Sequence, residues 1–417
     1  MEVLQDTYKD TKIGRIPKDW KLISFGDLGE YYGGLSGKTK VNFGSGKPYI
    51  PFMNIMANDI IDVNYFDLVE INGDEKQNKA VKGDVFFNTS SETPEEVGMC
   101  AVLLDDISDL YLNSFCFGFR LNEEAEKRYL PEYISRFMNS GFGRRLMFPL
   151  AQGMTRYNLS KKYFVKLEIP FPPLPEQQKI ADILSTVDEQ INTTDKIIEK
   201  SKELKKGLMQ KLFSEGIGHT EFKDTKIGRI PKDWEVKQLA SICDIVMGQS
   251  PPSESYNEND TGLPLVQGNA DIKSRITKPR IYTSQITKIS EVDDIIMTVR
   301  APVGAIAKSN IKSCIGRGVC ALRVKSIDNE FLYQMLIEKE TSWIRLEQGS
   351  TFSAVNSKDI KTFKIALPPL QEQQKIATIL SEADAKIEKE QTQKAQLEAL
   401  KKGLMQQLLI GKKRVKV

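Results

Sequence analysis

The chain has 417 residues, of which 40% are hydrophobic and 28% charged, and its formal net charge is +3. A mean hydropathy of −0.35, no apolar run long enough to cross a bilayer and no signal-peptide pattern predict a soluble, globular, cytoplasmic protein without a membrane partner. The small net charge neither establishes nor excludes a nucleic-acid partner, because a basic stripe can lie within a balanced total.

The first distinctive segment, residues 11–20, occurs twice. Its sequence Thr-Lys-Ile-Gly-Arg-Ile-Pro-Lys-Asp-Trp returns unchanged at 225–234. A second block, Pro-Pro-Leu-x-Glu-Gln-Gln-Lys-Ile-Ala, occurs at 172–181 and again at 368–377. Repetition of two blocks in the same order indicates a duplicated unit, and two such units suit the presentation of two surfaces in a fixed geometry.

The segments framed by these blocks, 21–171 and 235–367, barely resemble each other, yet each is long enough to bury a core. Short β-type runs such as 84–87 and 294–299, punctuated by Gly and Pro, alternate with helical patches such as 132–138. Two unlike globular domains of mixed α+β structure are therefore expected.

Each Pro-Pro block is followed by a stripe of residues at steps of three and four. In the first copy the stripe consists of Ile180, Leu184, Val187, Ile191, Thr194, Ile198, Ser201, Leu204, Leu208 and Leu212. In the second copy it consists of Ile376, Leu380, Ala383, Ile387, Glu390, Lys394, Leu397, Leu400, Leu404 and Leu408. This spacing predicts two long amphipathic helices of roughly 38 residues and about 57 Å, each with a coiled-coil seam.

We expect the two helices to pair with each other in an antiparallel coiled coil, since each is tethered to a partner of matched length. Thr194, Glu390 and Lys394 would then fix the register from polar positions within the seam. The alternative is that each stripe docks on a separate partner protein. Gly207 and Gly403, which recur in the same context, indicate either a close helix approach or a frayed or kinked helix end.

The residues that catalysis and metal binding usually require are scarce. His219 is the only histidine and is expected to be a solvated linker residue, so no histidine-based triad or histidine-rich metal site is predicted. The five cysteines are scattered and indicate buried, reduced thiols, and Cys314 and Cys320 are too far apart for a zinc knuckle. Residues 37–39 lack the glycine at position 32 that a phosphate-binding loop requires. We therefore expect no catalytic residues, no metal and no cofactor.

Three motifs, each present twice, resemble those of the DNA-specificity subunit of type I restriction-modification systems: Gly-Arg-Ile-Pro-Lys-Asp-Trp, Pro-Pro-Leu-x-Glu-Gln-Gln-Lys-Ile and Lys-Lys-Gly-Leu-Met-Gln. They occupy 14–20 and 228–234, 172–180 and 368–376, and 205–210 and 401–406. In the second domain, residues 248–252, 256–257 and 262–269 also resemble the target-recognition domains of that family. The first domain departs from this pattern with Gly-Gly-Leu-Ser-Gly-Lys at 33–38.

The resemblance implies an α+β fold with two globular target-recognition domains, two long antiparallel coiled-coil helices and a pseudo-twofold internal repeat. The corresponding segments are a first recognition domain at 1–171, a first long helix at 172–215, a second recognition domain at 216–367 and a second long helix at 368–417. It also implies that each domain reads half of a split site on double-stranded DNA. The helices would set the spacing and bind two methyltransferase subunits and, in the full assembly, restriction and motor subunits.

Candidate DNA contacts are Arg and Lys, which pair with guanine or phosphate, and Asn and Gln, which pair with adenine, where these lie on loops. In the first domain they are Lys38, Lys40, Lys47, Asn54, Arg156 and Asn158. In the second domain they are Gln249, Ser250, Gln267, Asn269, Arg300 and Arg317. Loops 153–156 and 349–352 precede the two helices at equivalent positions, and each either binds backbone phosphate or is a plain loop that enters the last strand. The basic tail 412–416 is a further phosphate-binding candidate, although a solvated helix end is favoured for it.

Two other functions are compatible with these patterns. One is a non-catalytic coiled-coil scaffold that joins two protein-binding domains. The other is an autonomous nuclease or methyltransferase, which the scarcity of catalytic residue types disfavours.

Overall fold

The computed structural model describes residues 7–347 and 354–416, so the loop at 349–352 lies outside the described residues. Its contacts divide the chain into a first unit, Met1–Thr194 with Gln393–Val417, and a second unit, Asp195–Thr392. Each long helix is therefore divided between the two units. The predicted segment boundaries fall close to the ends of these helices instead.

The first unit is built from short strands and helices. In chain order they are β1 (Tyr8–Thr11), β2 (Gly14–Pro17), β3 (Lys21–Ser24), α1 (Phe25–Leu28), β4 (Gly29–Gly33), β5 (Phe43–Ile50), α2 (Phe52–Ala57), β6 (Asp67–Val69), β7 (Val85–Asn88), β8 (Ser90–Ser91), β9 (Cys100–Val102), β10 (Tyr111–Leu112), β11 (Cys116–Leu121), α3 (Glu123–Glu126), α4 (Pro131–Asn139), α5 (Gly141–Met147), β12 (Ala151–Gln152), β13 (Tyr157–Leu159), α6 (Lys161–Phe164), β14 (Glu168–Phe171) and the first half of α7 (Leu174–Glu215). The strands form sheets of order β4-β11-β7-β9, β10-β5-β6 and β12-β13-β8, together with the ribbons β1-β2 and β3-β14.

The second unit repeats this scheme with larger sheets. After the second half of α7 come β15 (Phe222–Thr225), β16 (Gly228–Pro231), β17 (Glu235–Gln238), α8 (Leu239–Ile242), β18 (Cys243–Met247), β19 (Tyr256–Asn257), β20 (Leu263–Val266), β21 (Ile272–Lys273), β22 (Ile276–Thr277), β23 (Ile281–Thr283), β24 (Ile289–Ser290), β25 (Ile295–Thr298), β26 (Ile306–Lys308), β27 (Ser313–Ile315), β28 (Val319–Val324), α9 (Asn329–Glu338), α10 (Glu340–Glu347), α11 (Ser357–Thr362), β29 (Lys364–Leu367) and α12 (Leu370–Leu408). The sheets have the order β18-β28-β25-β26-β22-β21 and β19-β23-β20-β27-β24, and the ribbons are β15-β16 and β17-β29.

The predicted mixture of helices and strands is confirmed. The β-type runs at 84–87 and 294–299 correspond to β7 and β25, which are buried along their whole length, and the helical patch at 132–138 corresponds to α4. None of the described helices combines the length and the apolar character that a bilayer span requires.

The two blocks that recur in the sequence contact each other within each unit. Trp20 and Trp234 are fully buried, and their indole N–H groups donate to Glu176 (3.3 Å) and Glu372 (3.0 Å) at the starts of α7 and α12. The next residue, Gln177 in the first unit, accepts a hydrogen bond from the backbone of Leu130 just before α4. The tryptophan block and the helix start therefore recur together because the tryptophan of one is hydrogen-bonded to the glutamate of the other.

Within each unit an ion pair joins the two long helices. In the first unit, Asp188 of α7 forms an ion pair with Lys401 of α12 (2.8 Å). In the second unit the equivalent residues form the reciprocal pair, Lys205 of α7 with Asp384 of α12 (2.6 Å). Both lysines belong to the repeated Lys-Lys-Gly-Leu-Met-Gln motif, so the motif contacts the other long helix in each unit.

Two positions in the predicted apolar stripes are exposed. Leu204 is 62% exposed and Leu400, its equivalent in the second helix, is 50% exposed. A Cβ added to Gly207 or Gly403, one turn further on, would meet nothing within 4 Å. Of the two alternatives for these glycines, the close helix approach is therefore contradicted, and the same face of each helix is open in both copies.

Two expectations about the connecting segments also need correction. His219 is not a solvated linker residue, because its Nε2 lies 2.9 Å from Oε1 of Glu372. The basic tail is not a free helix end, because Arg414 pairs with Glu176 (2.7 Å) and Asp19 (2.8 Å). These two contacts are equivalent: each anchors the end of a long helix to the glutamate at the start of the other.

Candidate nucleic-acid interface

Four loops of the second unit enclose a polar cleft with a volume of about 590 Å³. The loops follow β18, β20 and β25 and connect β27 to β28. The lining residues are Ser250, Pro251, Ser253, Tyr256, Gln267, Gly268, Asn269, Arg300, Ala301, Arg317 and Gly318. The fold thus brings together side chains that are far apart in the sequence.

Backbone hydrogen bonds between the loops hold the cleft in shape. Gly248 donates to Val319 O (3.0 Å), Gly316 donates to Val266 O (2.8 Å), and Val299 donates to Gly318 O (2.9 Å). A Cβ at position 248 would lie 2.1 Å from the carbonyl oxygen of Gly316, so only glycine allows the first and last loops to approach this closely. The cleft is therefore built on a rigid backbone frame.

Polar side chains inside the cleft are positioned before any ligand binds. Gln267 donates from Nε2 to the hydroxyl of Tyr256 (3.1 Å), which donates in turn to Pro251 O (3.1 Å). The backbone N–H of Arg317 donates to Oγ of Ser250 (3.2 Å). Preorganisation of this kind lowers the entropy cost of binding.

Arg300 and Arg317 are exposed, and neither guanidinium has an acidic partner among the described residues. Arg323 of the same unit differs, because it forms a bidentate pair with the buried carboxylate of Asp294. A guanidinium without a carboxylate partner is available for the acceptors of a guanine edge or a phosphate.

Five of the six residues predicted for the second domain line this cleft: Ser250, Gln267, Asn269, Arg300 and Arg317. Gln249, the sixth, is exposed but does not line it. In the part of the chain that the structure describes, no cluster of metal-ligating residues occurs.

The first unit has the same backbone frame. Leu35 donates to Leu112 O as Gln249 donates to Ile315 O, and Thr89 donates to Phe115 O as Val299 donates to Gly318 O. This register makes a set of positions equivalent. Ser36 corresponds to Ser250, Ser90 to Arg300, Ser114 to Arg317 and Phe115 to Gly318.

Arg156 and Asn158 lie at this frame in the first unit. Arg156 donates from Nε to Oγ of Ser90 (3.2 Å), and its guanidinium lies 5.3 Å from the ring centroid of Phe115. Asn158 is exposed on β13, where it pairs with Ser90 of β8. The guanidinium therefore reaches this frame from the loop between β12 and β13, whereas those of the second unit come from the loops after β25 and between β27 and β28.

The other four candidates of the first domain are placed differently. Asn54 is fully buried, and its amide donates to the carbonyls of Asp62 and Tyr65, so it does not face solvent. Lys38 pairs with Glu75 (2.5 Å), whose pKa this contact lowers. Only Lys40, of these four, is exposed without a partner among the described residues.

Lys47 is engaged in a surface cluster. It pairs with Asp109 (2.8 Å), which also binds Lys79 (2.6 Å), and hydrogen bonds from the two lysines lower the pKa of Asp109 to about 2. The loop composition that suggested Lys38 and Lys47 could not reveal these carboxylates, which come from distant segments of the chain.

The predicted buried thiols are confirmed, since all five cysteines are buried and unpaired. Burial raises the pKa of Cys100 to about 12, as it does for Cys243 and Cys320, which leaves these thiols unreactive as nucleophiles.

Residues 17–203 and 231–399 each match the family described as type I restriction modification DNA specificity domain. The chain belongs to this family. The two matches begin at equivalent residues, Pro17 and Pro231, and each runs from a tryptophan block into a long helix. The resemblance inferred from the repeated motifs is thus confirmed.

Relatives match along nearly the whole chain. A protein of Methanocaldococcus jannaschii, provisionally named the type I restriction enzyme MjaX specificity subunit, is 35% identical over 99% of this chain and 98% of its own length. The type I restriction enzyme MjaVIII specificity subunit of the same organism is 28% identical over 99% and 97%. This chain is accordingly a type I specificity subunit with full-length relatives.

Solved structures agree with this assignment. A chain from a structural study of complex assembly and conformational transition of the type I restriction-modification system is 25% identical, with a TM-score of 0.64 over 95% of this chain and 99% of that one. The type I restriction-modification S subunit from M. genitalium is 18% identical with a TM-score of 0.59 over 94% and 96%, a likeness of fold alone.

Proposed function

We propose that this specificity subunit reads an asymmetric, bipartite DNA sequence, with one half-site for each unit. The observation that carries the proposal is the polar cleft of the second unit, where Arg300 and Arg317 converge without carboxylate partners. The first unit repeats the frame with Arg156 and different neighbours, and unlike side chains on a common frame favour two unlike half-sites.

The remaining exposed candidates support contacts that position the duplex. Lys40, Asn158, Gln249, Ser250, Gln267 and Asn269 are polar or basic and lie on loops or short strands. Phosphate contacts from such residues carry no sequence information, but they make the affinity fall as salt displaces them. Lys38 and Lys47 can join this set only by exchanging a carboxylate for a phosphate.

The chain is proposed to be non-catalytic. Its only histidine and its five cysteines are engaged or buried within the fold, so nothing in the cleft resembles a nucleophile with a general base. Methylation and cleavage would come from two methyltransferase subunits and from restriction and motor subunits. The long helices, α7 and α12, would form the antiparallel coiled coil that sets the unread spacer between the half-sites.

The open helix faces are the proposed docking sites for the methyltransferase subunits. Leu204 with Gly207 and Leu400 with Gly403 present the same exposed leucine, one turn before the same unobstructed glycine. A glycine inside a helix lowers the stability of that helix by about 1 kcal/mol relative to alanine. Two equivalent surfaces in one chain favour two copies of one partner.

Changing Leu204 to Asp is expected to weaken the binding of one methyltransferase subunit by about 10- to 100-fold, because a buried leucine contributes roughly 1.5–3 kcal/mol. Leu400→Asp should weaken the other copy, and the double variant both. The stoichiometry of the assembled complex, measured by native mass spectrometry, checks this. Lys202→Asp, a change at an exposed position on the opposite face of α7, is the control. A complex with two methyltransferase subunits in the double variant would exclude this docking surface.

Selection from a random duplex library tests the proposed reading of DNA. The full chain, alone and with its methyltransferase subunits, is expected to enrich two unlike half-sites separated by an unread gap of constant length. Affinity for the selected site should fall by orders of magnitude between 50 mM and 200 mM salt, as for proteins with several phosphate contacts. If no split motif is enriched in either condition, the chain is better described as a scaffold that joins protein-binding domains.

A further inference from the structure

The cleft of the second unit has a chemical composition that narrows its ligand. Its lining contains two guanidinium groups, amide and hydroxyl side chains and no carboxylate. Because the two guanidinium groups only donate hydrogen bonds, a ligand of this cleft must present hydrogen-bond acceptors. Phosphate and the major-groove edge of guanine both present acceptors to arginine.

The amide groups distinguish between these two ligands. Gln267 uses its Nε2 to donate to Tyr256, which leaves its Oε1 as an acceptor, and the amide of Asn269 is exposed at the cleft. A phosphate offers only acceptors and leaves an amide oxygen unpaired. A base pair offers both, because guanine presents O6 and N7 while adenine and cytosine present amino groups in the same groove. The mixed lining therefore fits base edges.

The equivalent frame of the first unit lacks both of these cations. Ser90 and Ser114 stand where Arg300 and Arg317 stand, and these serines have no charge to offer. A single guanidinium, that of Arg156, lies there instead, braced by Ser90 and by the ring of Phe115. The number of available guanidinium groups on the frame thus differs between the units.

We propose that Arg300 and Arg317 each read one guanine of the second half-site, whereas Arg156 reads a single guanine of the first. This inference rests on the proposed function and specifies the bases that the units recognise. It also identifies positions 90 and 300, and 114 and 317, as equivalent specificity positions on a shared frame.

The test exchanges residues between the equivalent positions. Arg300→Ser and Arg317→Ser each install the residue of the first unit and are made in the full chain assembled with its methyltransferase subunits. Each variant is expected to reduce the preference for guanine at one position of the second half-site by roughly 5- to 150-fold, the effect of losing one bidentate contact. The first half-site, read from the same selected sequences, should not change.

The control is Arg229→Ser. Arg229 is an exposed arginine of the second unit whose guanidinium lies over the ring of Phe222 on the β15-β16 ribbon. The Arg229→Ser substitution removes the same charge, and it is expected to leave the base preferences at both half-sites unchanged. Arg156→Ser extends the test to the first unit, where one guanine preference should be lost while the second half-site keeps two.

The outcomes separate this inference from the proposed function. If the unaltered protein enriches a split motif but Arg300→Ser and Arg317→Ser lower affinity equally for all sequences, the arginines contact phosphate and the guanine assignment is overturned. Enrichment of a split motif without guanine in the second half-site has the same consequence. If no split motif is enriched at all, the proposed function itself fails first.

Discussion

Replacing Arg136 with methionine is expected to destabilise the first unit by about 3–5 kcal/mol, the usual result of removing one partner from a buried charge cluster. The Arg136 side chain is fully buried on α4. It donates to Glu132 (2.9 Å), to Asp188 of α7 (2.7 Å) and to the hydroxyl of Ser185 (2.7 Å). Burial works to lower the pKa of Arg136, but the surrounding carboxylates outweigh it and the pKa is raised. Without this cation, Glu132 of α4 would lose its guanidinium partner at a buried position, while Asp188 of α7 would keep its ion pair with Lys401.

The second unit supplies a matched control at Gln334. It is equivalent to Arg136 because the backbone N–H groups six residues earlier, of Asp328 and Leu130, donate to the equivalent residues Gln373 and Gln177. Gln334 is also buried, but it is neutral, and it donates to Glu330 (3.0 Å) and Asp384 (2.8 Å). Asp384 keeps Lys205, just as Asp188 keeps Lys401 in the first unit. Glu330 also has a lysine partner, Lys308, whereas the ion-pair partner of Glu132 is Arg136 itself. Gln334→Met should therefore cost less, about 1–3 kcal/mol.

Hydrogen exchange followed by mass spectrometry measures the two units separately, because it reports the opening free energy of each segment. Peptides from α4 and the β4-β11-β7-β9 sheet should lose protection in Arg136→Met, while those of the second unit should not. Equal losses in the two variants would mean that charge burial does not distinguish the units.

The division into two units could be predicted from the sequence because two sequence blocks each occur twice in the same order. Identical tryptophan blocks and helix starts are retained in both copies, and their contact through Trp20 and Glu176, or Trp234 and Glu372, gives a physical reason for it. The long helices followed from residue spacing. The spacing could not show that Leu204 is exposed. Residue spacing predicts which residues share a helix face, but it does not predict which residues pack against that face.

The site was only partly predictable. In the second unit the candidates were polar residues next to glycines, and the glycines are there because loops meet closely, as at Gly248. In the first unit the positions that we propose as counterparts of this cleft are Ser90, Ser114 and Phe115, whose residue types give no indication of DNA contact. Only strand register, fixed by hydrogen bonds between distant segments, makes them equivalent to the second unit's cleft.

Inserting four helical residues into both long helices is expected to lengthen the preferred DNA spacer by one or two base pairs. Four residues add about 6 Å of helix at 1.5 Å per residue, and B-DNA rises about 3.4 Å per base pair. Equivalent insertion points are after Thr194 in α7 and after Glu390 in α12, which are separated by the same offset as the helix starts. Because four residues nearly complete a turn, the inserted segment adds a rotation of only about 40°.

The expected loss on the original site is large. With the spacer wrong, one half-site cannot be engaged together with the other, and affinity should fall toward the non-specific level, by about 10³-fold or more. The half-sites recovered by selection should stay the same. An insertion in α7 alone is the control, since it shifts one helix against the other and separates pairs such as Lys205 with Asp384, which costs stability without creating a new preferred spacer. Altered half-sites with an unchanged gap would show that the helices do not set the spacing.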